Sequence, residues 1–189
     1  MEVFHRFGFK KASMEDIAAA AGLSRQGLYL KFRTKERLFE AALEQLIKRL
    51  LGTIRAICAK RGPAVEQQLA RIFEVLHADM LAMSARADAA ELLEVARSRH
   101  GDLVAGFERD FTSLVAGLLS EAGVASRWAP AGITARQLAE HLLLANSGIK
   151  ASMSSGAEYR DRMAVAVALV VRGAPAPMAA SRYAERDRR

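Results

Sequence analysis

The sequence predicts an all-α protein, and three observations carry that prediction. Apolar residues recur at helical spacing over most of the chain. Only 4 of the 189 residues are proline and 13 are glycine, against abundant alanine, leucine, arginine and glutamate, so few positions resist a helix. The alternation of β-branched and aromatic residues that marks strands is scarce. Hydrophobic residues make up 51%, enough to fill a sizeable core in one compact unit or two small helical ones.

Taken in order, Met1 to Phe7 predict a short first helix. Val3, Phe4 and Phe7 would face inward, Gly8 would end it, and Phe9 would pack beneath the next pair of helices. Ser13 to Lys35 reads SMEDIAAAAGLSRQGLYLKFRTK and holds two short helix signals around a tight turn. Ser13 can cap the first, and Asp16 three positions on completes a capping box. Ile17, Ala18 and Ala21 give this helix one apolar face. Gly22 stands where a helix end favours positive φ. Leu23 then turns the chain inward, and Ser24 can cap a second helix from Arg25 to about Lys31. Leu28 and Phe32 face the core, which leaves Arg25, Gln26, Tyr29 and Lys31 on the other sides.

A long helix runs from Thr34 to about Lys60, in which Leu38, Phe39, Leu43, Leu46, Leu50 and Ile54 keep a helical period. It spans roughly 40 Å at 1.5 Å per residue. Gly62-Pro63 ends it and starts a helix from Ala64 to about Met83. Ser84 to Ala90 reads as a break, Glu91 to about Arg99 as a shorter helix, and Asp102 as the cap of a helix to about Gly123. Ala125 to Gly132, with Trp128 and Pro130, reads as a loop. Thr134 can cap a helix to about Ser154, and a last helix runs from Gly156 to about Arg172. The arginine-rich tail beyond Gly173 reads as mobile.

The paired short helices suit a helix-turn-helix, whose second helix lies in the DNA major groove. Arg25 there can bond guanine in bidentate fashion, and Gln26 adenine. Tyr29, Lys31 and Lys35 suit phosphate oxygens, and the free N–H groups at the start of the Lys35 helix add to that site. Gly27 lets the helix approach base edges closely, at a cost of roughly 1 kcal/mol in helix propensity. Net charge is +7, which favours a polyanionic partner through counterion release. Between Arg25 and Arg37 the only acid is Glu36, against Arg25, Lys31, Arg33, Lys35 and Arg37.

The segment MEDIAAAAGLSRQGLYLKFRTKERLFEAAL resembles the DNA-binding segment of the TetR/AcrR family of bacterial transcriptional regulators. The resemblance covers about Phe7 to Leu46 and lies in the Ile-Ala pair, Ala-Gly, Leu-Ser-Arg, Leu-Tyr, Phe and Lys-Glu. Beyond it, only helix layout and length agree. The first helix departs from the pattern, being usually longer at its N-terminal end in family members. The resemblance implies residues 1–46 as a three-helix DNA-binding domain, 47–173 as a helical effector-binding and dimerisation domain, and 174–189 as a tail. It also implies DNA contacts at Ser13, Ser24, Arg25, Gln26, Gly27, Tyr29, Lys31 and Lys35. In proteins of this kind the middle helices enclose an apolar effector site. By position its candidates are Phe73, His77, Met80, Met83, Phe107, Phe111 and Trp128, with plain core packing as the alternative for each.

The last two helices carry more apolar surface than one face needs. Leu138, Leu142, Ala145, Ile149 and Met153 sit at coiled-coil-like spacing, and Tyr159, Met163, Val167 and Val170 line one side of the final helix. A four-helix interface with a second copy is the expectation, and burial within one chain the alternative. The lone Cys58 excludes an intrachain disulfide and a cysteine-built zinc site. It reads as a packing residue, with a redox-sensing thiol as the alternative. MEVFHRFGF lacks the apolar core of a signal peptide, and the longest apolar run, Ala164 to Val171, is too short to span a bilayer, so a cytoplasmic protein is expected.

There is no phosphate loop, His-Glu-x-x-His or nucleophile elbow, and His5, His77, His100 and His141 have no ligand-like spacing. No catalytic activity, cofactor or metal is expected. The resulting expectation is a homodimeric repressor on a palindromic operator, released by a small-molecule effector. An activator of the same fold, or a helical ligand carrier or enzyme with a structural helix pair, is the alternative.

Overall fold

The computed structural model describes residues 2–84, 89–153 and 155–173. Its elements are helical throughout, with no strand among the described residues: α1 (Glu2–Lys11), α2 (Met14–Ala20), α3 (Arg25–Lys31), α4 (Lys35–Cys58), α5 (Val65–Ser84), α6 (Ala89–Arg99), α7 (Gly101–Glu121), α8 (Val124–Trp128), a 3-10 turn (Ala129–Ala131), α9 (Ala135–Ser152) and α10 (Gly156–Arg172). The tail at 174–189 lies outside the described residues, as does most of the expected break after Ser84. The chain forms two compact units, Met1–Ala59 with Ile72–Phe111, and Lys60–Arg71 with Thr112–Arg189. The 46/47 boundary read from sequence lies inside α4.

In the first unit, Gly8 decides how α1 packs. It holds φ 76° and ψ 168°, a region essentially restricted to glycine, and this non-helical residue ends the first stretch of α1, as expected. A second helical stretch then runs to Lys11 at an angle to the first, so the stop at Gly8 is also a bend. The bend brings Phe9 inward and leaves Phe7 38% exposed, contrary to its expected inward position. Phe4, Phe9 and Phe39 form a buried aromatic cluster. Phe4 and Phe39 meet edge-on at 5.2 Å, as do Phe9 and Phe39. Val3, Ala12, Leu43, Leu92 and Ala96 complete this core.

A smaller core under the helix pair joins Met14, Ala18 and Leu28, and Ile17 and Leu38 pack against both clusters. Ala21 is exposed and Leu23 is 43% exposed, so neither faces inward as expected. The reason is the helix ending. Gly22, at φ 65°, donates to Ala19 O, and Leu23 N–H donates to Ala18 O at 2.9 Å, a Schellman motif that fixes Leu23 by its backbone rather than its side chain.

Two further elements differ from expectation. α7 begins at Gly101 because the His100 carbonyl accepts the N–H groups of Leu103 and Val104, so Asp102 lies within its first turn instead of capping it. Ala125 to Gly132 is α8 and the 3-10 turn, not a loop. Gly123 and Gly132 bracket this segment at φ 70° and 73°. Trp128 Nε1 donates to Val170 O at 2.8 Å, and Arg127 donates to Val171 O, which ties the segment to α10.

The second unit is built on α9 against α10. Thr134 caps α9 through a capping box with Gln137. Leu138, Ala139, Leu142, Tyr159, Met163, Val167 and Val170 are buried in this unit. The Tyr159 hydroxyl donates to Asn146 Oδ1 at 2.8 Å with both groups buried, satisfying two polar side chains within an apolar interior.

The aromatic cluster predicts its own sensitivity. Phe39→Ala is expected to lower the unfolding free energy by about 3–5 kcal/mol, read from denaturant melts. A loss under about 1 kcal/mol would show that α1 and α4 are held together by other contacts.

Candidate nucleic-acid interface

Local capping positions both short helices. Asp16 N–H donates to Ser13 Oγ at 3.1 Å and Ser13 N–H donates to Asp16 Oδ2 at 3.2 Å, the expected capping box. The Ser13 hydroxyl also donates to Asp16 Oδ2 at 2.5 Å. These bonds from Ser13 hold the Asp16 carboxyl below the usual carboxylate range. The box is therefore intact above the ordinary carboxylate pKa and is lost as pH falls through the lowered one. At α3, Gly27 N–H donates to Ser24 Oγ at 3.0 Å. A Cβ at position 27 would stand 3.1 Å from that oxygen, so the missing side chain makes room for the cap.

Leu28 is the buried residue of α3. Gln26 and Leu30 each lie two positions from it, about 160° around the helix axis at 100° per residue. They therefore form the centre of the exposed face. Arg25 and Tyr29 flank it on one side and Lys31 on the other, and all three are exposed. Leu30 is 82% exposed, the most of the large hydrophobic side chains so described. Its apolar character hides it from a search for outward-facing contacts among polar residues, although its offset from Leu28 marks it as outward.

Arg25 is engaged. Its Nη1 lies 2.8 Å from Glu15 Oε1 on α2, and its guanidinium lies over the Tyr29 ring at 5.6 Å. Both members of the ion pair are largely exposed, so the pair is worth only about 0.2–1 kcal/mol and weakens with salt. Arg25 is thus held along the flank of α3 by a weak, exposed contact.

Lys35, expected at a phosphate, makes contacts within the chain. Its half-buried Nζ donates to Lys10 O at 3.2 Å and Ala12 O at 3.1 Å, and it sits 4.8 Å from the centre of the Phe9 ring. Two of the three ammonium donors therefore bond carbonyls in the last turn of α1 and just beyond it. Around this junction α6 adds further ties. Glu91 Oε1 accepts from Lys10 N–H at 2.9 Å, Arg99 lies 5.4 Å over Phe9 and 3.6 Å from Glu36, and His100 packs on Phe39 at 5.8 Å.

The expected effector residues divide between the units. Phe73 and Phe111 are buried and meet at 5.9 Å, Phe107 is half-buried 6.0 Å from Phe111, and His77 is buried. All four lie in the first unit. The side chains of Met80 and Met83 lie outside those described. Trp128 belongs to the second unit, where its indole N–H is bonded to α10. Among the described residues no group of three or more His, Cys, Asp or Glu side chains could hold a metal ion. No described helix is long and apolar enough to cross a membrane.

Fold and site together define an all-α helix-turn-helix protein with a capped, outward-facing second helix. Residues 1–42 match the family described as bacterial regulatory proteins, tetR family. The chain is similar in structure to a Mesorhizobium loti protein assigned to the TetR-family transcriptional regulators, with TM-score 0.64 and 19% identity over 90% of each chain. It is similar to the fatty acid degradation regulator FadR from Bacillus halodurans, with TM-score 0.65 and 18% identity over 91% of this chain and 94% of the other. A third likeness is to the TetR-family regulator PfmR from Thermus thermophilus, with TM-score 0.54 and 18% identity over 93% and 96%. The chain has the fold of TetR-family transcriptional regulators, and its N-terminal helix-turn-helix is that of the tetR family.

The Lys35 geometry predicts a stability effect. Lys35→Met is expected to cost roughly 1–2 kcal/mol in denaturant unfolding, from lost charged hydrogen bonds and the ring contact in a half-exposed site. Unchanged stability, with the salt slope of DNA binding flattened by about one unit, would return Lys35 to a phosphate role.

Proposed function

We propose that this protein is a DNA-binding transcriptional regulator, acting as a repressor, that binds a palindromic operator as a homodimer and is released by a small-molecule effector. The observation that supports this best is the exposed face of α3. Gln26 projects from its centre between Arg25 and Lys31, on a helix pair of the tetR family. Gln26 would read adenine and Arg25 guanine. Leaving Glu15 would cost Arg25 less than the roughly 1–3 kcal/mol that a good bidentate base contact contributes to discrimination. Tyr29 and Lys31 would contact phosphates. Ser13, Ser24 and Gly27 would act chiefly by fixing the helix starts.

For the dimer, the residues expected at the interface fall into two groups. Leu138, Leu142, Tyr159, Met163, Val167 and Val170 are buried within one chain, while Ala145, Ile149 and Met153 are half-buried. On the same two helices Leu144, Val165 and Leu169 are 71%, 60% and 65% exposed. These three are the better candidates for the surface that meets a second copy, with the half-buried residues at its margin. A paired molecule would set two copies of α3 in successive major grooves, which is why the operator should be palindromic. An effector near Phe73, His77, Phe107 and Phe111 would act only through different affinities for the DNA-bound and released spacings.

Two results test this reading. Selection from a random duplex pool should return a palindrome, and Gln26→Ala should relax preference at one base pair per half-site at a cost of about 1–3 kcal/mol. Binding that stays non-selective and vanishes at moderate salt would leave only a basic protein. Replacing Leu144 and Leu169 together by glutamate should yield folded monomers in sedimentation experiments, whereas an intact dimer would place the interface elsewhere.

A further inference from the structure

Leu30 stands out once the face of α3 is laid out. An isolated exposed leucine is ordinary on a protein surface, so what matters is where this one stands. It is 82% exposed and shares the centre of the outward face with Gln26, four residues earlier. Its surroundings are polar and cationic. Arg25, Lys31 and Arg33 are exposed nearby in sequence, and the Tyr29 ring is covered by Arg25. A leucine at the middle of such a face suits a partner that offers an apolar spot inside a polyanionic groove. Duplex DNA offers one such group in the major groove, the C5-methyl of thymine.

We propose that Leu30 is a specificity-determining residue that packs on a thymine methyl in the major groove. This rests on the DNA-binding reading of α3. Residues 26 and 30 are separated by roughly 6 Å along the helix axis, and successive base pairs by about 3.4 Å. The thymine therefore falls one or two steps from the base read by Gln26. The contact is apolar and carries no charge, so it adds sequence preference without adding to the salt dependence that a phosphate contact such as that of Lys31 supplies.

The test uses the intact protein and the duplex chosen from a random pool. Each thymine is replaced in turn by deoxyuridine, which lacks the methyl and keeps the pairing edge. For the unaltered protein, one thymine per half-site should lose about fourfold in affinity on replacement, the worth of one buried methyl-sized group. Leu30→Ala should show less than about a twofold loss at that same position, and Gln26→Ala should retain the full loss. Because Leu30 is so exposed, Leu30→Ala should melt with the parent protein. A flat uridine scan, or a loss that persists in Leu30→Ala, overturns the assignment while leaving DNA binding intact. Concentration-dependent association that Leu30→Ala abolishes, alongside a flat scan, would make Leu30 a contact between copies instead. A pool that yields no preferred duplex removes the DNA-binding reading and this assignment with it.

Discussion

The helix-turn-helix depends on one junction, the Lys35 ammonium resting on Phe9 while bonded to a carbonyl of the last turn of α1 and to one just past its end. The contact joins the end of α1 to the start of α4, the two helices that frame the pair α2 and α3. It exists because Gly8 bends α1, since a straight helix would carry Phe9 to another side. The Phe4–Phe9–Phe39 cluster supplies apolar burial beneath the charge. A closely packed interior transmits displacement instead of absorbing it. Movement of Phe9 or Phe39 would therefore be felt at both ends of the helix pair.

The same junction is where α6 arrives. Glu91 and Arg99, with His100 just past the end of α6, touch α1 and α4 through a backbone hydrogen bond, a cation over a ring, an ion pair and a tilted ring contact. Phe73, His77, Phe107 and Phe111 belong to the same compact unit. A shift of α6 relative to α1 would thus need no long chain of intermediaries to reach the helix pair. Most of these ties are polar and at least partly exposed, each small in energy. The firmer hold comes from Leu92 and Ala96, which carry α6 into the same buried core.

Local signals in the chain are readable, and distant ones are not. Ser13 with Asp16, Ser24 and Thr134 cap where the sequence places them, because a cap involves neighbours a few residues apart, whereas Asp102 falls inside the first turn of α7. Gly22 ends α2 for the same reason. The role of Lys35 depends on carbonyls 23 and 25 residues away, which no helical period encodes. Trp128 and Arg127 fold a segment with loop-like composition into α8 by bonding carbonyls of α10. Apolar spacing finds the faces of α9 and α10 but not their owner. Leu138 and Tyr159 are buried in the chain, while Leu144 and Leu169 are not. Leu30 escapes a reading that takes hydrophobic as inward, and only its angle from Leu28 reveals it.

α3 is seven residues long with Leu28 as its buried anchor. Its fold is borrowed from the cap at Ser24 and from the shelf formed by Met14 and Ala18. The residues that face outward contribute almost nothing to the interior. They can therefore change during evolution with little penalty to folding, so the vocabulary a descendant protein recognises could be rewritten while its scaffold stays as it is.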